Sequence, residues 1–351
     1  MPEPTAVTAL TRVGRRGWEL HALDAPAATW GDDAVFVTGG DAAVRVPLRA
    51  DPAQGPAVHH LERPVPHPTA FEVHDATGRV LLRDTDVALV RTAGADAFAA
   101  EQHGPVRLRL RAAAAPGPRP LLLFLHGGAE AGDDNHAQLV GTFGPVHLAQ
   151  RYPDVHVLAP QAPAPAGGPP PHRPFAESDL DPTSGWHRAY LAAVCDVVRG
   201  MVADGRVDPD RVYLTGVSMG GAGALRALSV APDLFTAAAP VCPTMTPETF
   251  GILRGLDRTR LWLSTAYVDH TPYRHKYLVD GVLHLRDRGN ADAHLTLFSP
   301  EQLARHGVAD RDDLPLDALL RENHLSWVAT YEDEDGILSW LMSRVGRPAT
   351  R

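Results

Sequence analysis

The chain has 351 residues, 44% hydrophobic and 21% charged, which allows a sizeable core but is too long for one small domain. Lysine and arginine total 33 against 42 acidic residues, a net charge of −9 with no basic run to offset it, which excludes a general nucleic-acid or anionic-membrane binder. No stretch approaches 18 apolar residues, so no spanning helix is expected.

The N-terminal "MPEPTAVTALTRVGRRGWEL" has no apolar run before a small-residue cleavage site and reads as no secretion signal. Short segments then alternate apolar with polar residues: "DAVFVTG", "AAVRVPLRA", "TAFEVHD" and "VLLRDTDVALVRT", with "DATGR" as a hairpin turn. They predict a small antiparallel β domain, a sandwich, over residues 1–104. His59 and His60 have no acidic or cysteine neighbours at ligand spacing, and no metal is expected there.

From residue 105 the pattern changes. "RPLLLFLHGG" is a continuous apolar run, as in a strand buried on both faces of a parallel sheet. "DVHVLAPQ", "RVYLTG", "RLWLSTAYVD" and "AHLTLF" repeat that form, with helical stretches "HRAYLAAVCDVVRGMVADG", "GGAGALRALSVAP" and "HKYLVDGVLHLRDRG" between them. This alternation predicts an open, mostly parallel α/β sheet over 105–351 with helices on both faces. Segments 162–186 and 299–323 break the rhythm after strand ends, where such sheets place ligands. Cys195 and Cys242 lie far apart without metal spacing, and are expected as small core residues of a reduced, cytoplasmic protein.

Gly216-Val217-Ser218-Met219-Gly220 fits G-x-S-x-G between a strand and a helix. Two readings are open for the pentapeptide alone: a nucleophile at a strained bend, or an N-cap serine in a glycine-rich turn. Partners decide between them. A serine hydroxyl needs a histidine to take its proton, and the imidazole needs a carboxylate to fix its tautomer, in chain order Ser, acid, His. Asp269, at the end of "RLWLSTAYVDH", is the candidate acid, ahead of Asp280 and Asp292; its alternative is a helix-capping carboxylate. His324, before the apolar-periodic segment Ile337 to Val345, is the candidate base, ahead of His294 and His306. The glycines of "FLHGG" allow a backbone N–H, that of Gly128, to join that of Met219 in an oxyanion hole. Trp186 and Trp327 are candidate walls of an acyl or aromatic pocket, or plain packing, and Glu130 joins them as a candidate pocket residue.

Taken together, these pieces resemble the α/β-hydrolase superfamily, nearest the bacterial polyhydroxybutyrate depolymerases, feruloyl esterases and "predicted peptidase" phospholipase/carboxylesterases. That group reads approximately L-H-G-x-G-E-x-G-x-D-N in its oxyanion loop, and Leu125 to Asn135 matches except for Ala129 in place of a glycine. "VDPDRVYLTGVSMGGAGALRALSVAPDLFTAAAPVC" resembles its nucleophile region, Asp269-His270-Thr271-Pro272 its acid turn, and "HLSWVATYEDEDGILSWL" its histidine segment. Asn323 replaces the glycine often found before the histidine, and the 299–323 insertion is long. The resemblance covers residues 105–351. It implies Ser218 as nucleophile, Asp269 as acid, His324 as base, and Gly128 with Met219 as oxyanion donors. Some members carry an N-terminal immunoglobulin-like domain, which the β-rich first hundred residues resemble. The activity implied is hydrolysis of a small-molecule carboxylic ester through an acyl-enzyme, with no cofactor and no metal. An acyltransferase, cyclase or thioesterase, or a peptidase, would use the same intermediate; no oligomeric state is specified.

Overall fold

In a computed structural model, residues 8–12, 18–22, 30–38, 44–51, 53, 58–61, 70–87, 89–164, 185–271, 273–309 and 315–346 are described. The chain divides into two compact units, Met1–Asp96 and Ala97–Arg351.

The first unit is built of strands β1 (Thr8–Arg12), β2 (Trp18–Ala22), β3 (Val35–Thr38), β4 (Val44–Ala50), β5 (Val58–Leu61), β6 (Phe71–His74), β7 (Val80–Arg83) and β8 (Leu89–Thr92). Their order is β7-β6-β3-β4-β5-β2-β1-β8, and every neighbouring pair is antiparallel except β1–β8. Instead of two separate layers, the halves of the expected sandwich share one strand: Val44–Pro47 of β4 pairs with β3, and Leu48–Ala50 pairs with β5. Both halves contribute to a single core of Leu10, Trp18, Leu20, Phe36, Leu48, Leu61, Phe71 and Val73, with the Phe36 and Phe71 rings stacked 4.8 Å apart. The "DATGR" hairpin closes as its residues require. Gly78 sits at φ 84° and donates to the Asp75 carbonyl, while the Asp75 carboxylate accepts the Thr77 N–H at 2.9 Å.

In the second unit, strands β9 (Ala99–His103), β10 (Val106–Arg111), β11 (Arg119–Leu125), β12 (His156–Pro160), β13 (Val207–Val217), β14 (Ala237–Val241), β15 (Leu261–Ala266) and β16 (Ala293–Phe298) form one sheet. The order is β16-β15-β14-β13-β11-β12-β10-β9; β11 to β16 are parallel, and β10 runs antiparallel to both β12 and β9. Because β9 hairpins with β10, the division falls at Asp96/Ala97 and not at residue 104.

Helices α1 (Ala137–Val140), α2 (Gly144–Arg151), α3 (Arg188–Ala203), α4 (Met219–Val230), α5 (Pro247–Arg254), α6 (Arg274–Asp287), α7 (Pro300–Ala304), α8 (Leu316–Asn323), α9 (Trp327–Tyr331) and α10 (Ile337–Ser343) connect these strands. The apolar run of β11 divides by the strand period: Leu121, Leu123 and Leu125 face α3 and α4, whereas Leu122 and Phe124 face α2, α9 and α10. Burying each such side chain contributes roughly 1.5–3 kcal/mol, so the double coverage makes this sheet a rigid platform. Helix α3 fits the same frame. Tyr190, Leu191, Val194, Cys195, Val198 and Met201 recur at helical spacing and are buried, and the His187 ring accepts the Tyr190 N–H at 3.3 Å. Of the two irregular segments, residues 165–184 and 310–314 lie outside the described residues. The flanking part of the second holds the short helices α7 and α8.

Candidate active site

Ser218 stands between β13 and α4 with φ 55° and ψ −113°, a conformation costly for a residue with a Cβ. The turn is imposed by crowding. A Cβ at Gly216 would strike the Gly220 carbonyl, and one at Gly220 would strike the Leu125 carbonyl of β11. Backbone bonds hold the bend: Ser218 N–H donates to the Val241 carbonyl at 3.0 Å, and the Ser218 carbonyl accepts from Ala222 and Thr244, each at 3.1 Å. The Ser218 side chain caps nothing, which removes the N-cap reading. It is presented instead beyond the carboxyl end of β13, at the positive end of the α4 dipole.

The structure brings three separated residues together there. His324 Nε2 lies 3.0 Å from Ser218 Oγ, and His324 Nδ1 lies 2.9 Å from Asp269 Oδ2. Asp269 follows β15 in a loop and accepts the Thr271 N–H at 2.8 Å. It does not cap α6, whose N-cap is Tyr273. His324 follows α8 and is flanked by the edge of the His270 ring, 4.5 Å between centroids, and by Trp327 at 5.6 Å. Burial opposes ionisation of Asp269, but bonds from His270 and His324 and the nearby Arg274 charge outweigh it and hold the carboxyl far below the usual range. Burial pushes His324 down to about 4; the Asp269 bond opposes this and Arg274 adds to it, so the imidazole is neutral at pH 7 and able to accept a proton.

The loop after β11 is fastened from beneath. His126 is fully buried; its Nδ1–H donates to the Gly127 carbonyl at 2.7 Å and its Nε2 accepts the Ala162 N–H at 2.8 Å, which fixes a neutral tautomer. Burial accordingly lowers its pKa to about 4, against the Gly127 bond. Gly128 opens a short 3-10 turn and Met219 opens α4, positions whose N–H groups have no acceptor within their own turn. Met219 directly follows Ser218, and a Cβ on Gly127, the residue before Gly128, would sit 3.8 Å from Ser218 Cβ.

Two of the candidate pocket residues are buried. Trp186 is 1% exposed, lies against Gly223 of α4 and donates to the His126 carbonyl at 2.9 Å, so it braces the loop from inside the core. Glu130 is buried under the loop, where a Cβ at Gly127 would sit 3.1 Å from its Oε2. Burial raises its pKa to about 7, against bonds from its own N–H and that of Gly127. Trp327 stays at the histidine. The rejected alternatives are engaged elsewhere. His306 contacts Glu334 at 2.7 Å, His294 packs on Trp262 and Trp340, Asp292 faces Arg260 and Arg344, and Asp280 is exposed on α6. Cys195 and Cys242 are buried free thiols.

Sequence spacing missed two features. Strand pairing in the first unit sets Glu19 opposite His60, whose Nδ1 lies 3.2 Å from Glu19 Oε1 and whose Nε2 lies 2.5 Å from Asp51 Oδ2. In the second unit Arg274, the first residue of α6, brings one Nη against both Asp269 Oδ2 and His324 Nδ1, beside their direct contact. No motif marks it; the only signal is an arginine at the first position of a helix, where the dipole disfavours a cation.

Comparison with known proteins agrees with this architecture. Residues 186–317 match the prolyl oligopeptidase family, a stretch that includes Ser218 and Asp269 and stops short of His324. Among curated proteins no sequence matches the chain. A thermostable esterase superposes with a TM-score of 0.63 at 21% identity, over 97% of this chain and 100% of its own. The S-formylglutathione hydrolase of Agrobacterium tumefaciens (TM-score 0.47, 15% identity, 71% and 95% covered) and a puromycin-hydrolysing peptidase of Mycobacterium tuberculosis (0.49, 17%, 93% and 59%) are more distant. The second unit has the α/β-hydrolase fold. No helix among the described residues is long and apolar enough to cross a membrane.

Proposed function

We propose that this chain is a serine esterase that cleaves a small carboxylic ester through an acyl-enzyme. The observation that carries the proposal is the continuous contact from Ser218 Oγ through His324 to Asp269, at 3.0 and 2.9 Å. In the first step Oγ attacks the ester carbonyl while Nε2 takes its proton, and Asp269 holds the imidazolium with Nδ1–H toward the carboxylate. The oxyanion is received by the N–H groups of Met219 and Gly128, fixed in place before substrate arrives. His324 then protonates the departing alcohol, activates a water to release the acid, and returns to its neutral form. Trp327, edge-on to the imidazole, is the pocket wall this reading retains.

The match over residues 186–317 favours a second reading, cleavage of a peptide bond by the same steps. The two differ only in the leaving group, an alcohol or an amine that must be protonated as it departs. Ser218→Ala tests both: hydrolysis of p-nitrophenyl acetate falls at least ~10⁴-fold while circular dichroism keeps its folded signature. Undiminished turnover in that variant removes the proposal. Comparing p-nitrophenyl acetate with amide and dipeptide substrates on the wild-type protein separates esterase from peptidase.

A further inference from the structure

The buried guanidinium of Arg274 has no part in the mechanism just described, yet it touches two of its members. The side chain is 1% exposed. Its Nε donates to the Pro243 carbonyl at 3.1 Å, one Nη donates to Thr271 Oγ1 at 2.9 Å, and the other donates to Asp269 Oδ2 in a short contact while lying 2.9 Å from His324 Nδ1. These bonds tie the guanidinium to the segment after β14 and to the β15–α6 loop. A residue serving only to fill space would not use a charge at this depth, where an ion is costly unless its donors are satisfied.

Resting on the esterase reading, we propose that Arg274 is a positioning residue of the acyl-transfer site. It immobilises the Asp269 carboxylate, and its charge sets how far into acid the site stays active. The geometry gives two linked effects. Oδ2 of Asp269 accepts from both Arg274 and His324, so the carboxylate cannot rotate away from Nδ1. A permanent cation 2.9 Å from Nδ1 also opposes addition of a second proton to the ring, which is the event that disables the base as pH falls. Of the other groups at His324, Asp269 acts in the opposite sense and Ser218 is a neutral hydroxyl, while His270, its ring edge 4.5 Å away, acts in the same direction as Arg274 but more weakly. The low value of about 4 for His324, caused first by burial, agrees in direction with this arrangement.

The test is the pH dependence of kcat/KM for p-nitrophenyl acetate between pH 3.5 and 8, with wild type, Arg274→Lys and Arg274→Met. The lysine variant keeps a charge near the pair and retains an acid limb close to that of wild type. The methionine variant loses the charge, and its acid limb moves upward by roughly one pH unit or more. An unmoved limb with lower activity, or equal displacement in both variants, overturns the proposal and leaves Arg274 a packing residue. Arg274→Gln repeats the comparison if the methionine variant does not fold. Unfolding of both charge-free variants, seen by circular dichroism, also overturns it. The rate of Ser218 labelling by a fluorophosphonate carries the same limb without an ester substrate. Failure of wild-type labelling sinks the esterase reading, whereas an unmoved limb sinks only the role given to Arg274.

Discussion

Each unit holds a histidine against carboxylates, and the two differ in what faces the second ring nitrogen. In the β unit His60 has both ring nitrogens on acids, Nδ1 toward Glu19 and Nε2 toward Asp51. In the α/β unit one nitrogen of His324 faces Asp269 and the other faces a hydroxyl. The partner on the second nitrogen separates the two: a carboxylate at His60, and at His324 a hydroxyl, which is what the proposed mechanism requires of a base. Placement reinforces the difference. Cross-strand pairing puts His60 on a sheet face, while His324 follows a helix and reaches the carboxyl end of a doubly covered sheet.

Paired substitutions break or sharpen that contrast. The largest expected effect is on catalysis: His324→Ala lowers kcat/KM for p-nitrophenyl acetate by about 10⁴–10⁶-fold, while His60→Ala leaves it unchanged. Equal losses in the two variants would erase the distinction. Next, Asp269→Asn retains the geometry but withdraws the charge, with a drop on the order of 10²–10⁴-fold, smaller than for the histidine. Acid stability follows in size. His126 and His324 are held at about 4 in the fold, below the usual 6.5, so the unfolded chain binds more protons between those values. The contribution of these histidines is complete above pH 6.5 and declines toward pH 4, by roughly 1–3 kcal/mol per histidine; urea midpoints across that range, in a Glu130→Gln background, measure it. Glu130 has the reverse sign. Its pKa is raised to about 7, so the folded chain binds more protons between 4.5 and 7 and loses stability as pH rises through that window. Glu130→Gln therefore raises the melting temperature at pH 8 and changes it little at pH 4.5. The smallest effect is that of His60→Ala on folding, about 1 kcal/mol, because the ring is one-third exposed.

The serine bend, and the Asp269 and His324 that meet it, were legible because each position carries a local pattern: glycines flanking a serine, a carboxylate past a strand, a histidine ahead of a closing helix. Depth was not legible. Trp186 and Glu130 sit next to site motifs in sequence, but adjacency does not say on which side of a loop a side chain lies, and both lie beneath it. Strand β14 also escaped notice. "AAAPV" has no bulky residue and contains Pro240, yet it is buried throughout, small because the nucleophile turn presses on it: a Cβ on Gly221 would meet the Val241 carbonyl. Arg274 was hidden for a third reason. Its partners are 5 and 50 residues away, and only the folded loop brings them to one guanidinium.

The bonding of His126 carries a consequence of its own. The ring works as a latch only with one proton: Nδ1 gives to Gly127 and Nε2 receives from Ala162. A second proton turns Nε2 into a donor facing another donor, so in strong acid the segment bearing Gly128 comes loose while the strands beneath it are still paired. Under the proposed mechanism, inactivation at low pH then has two origins in one molecule, a base that no longer accepts and a cradle that no longer holds its shape, and the second should recover only as fast as that segment re-docks.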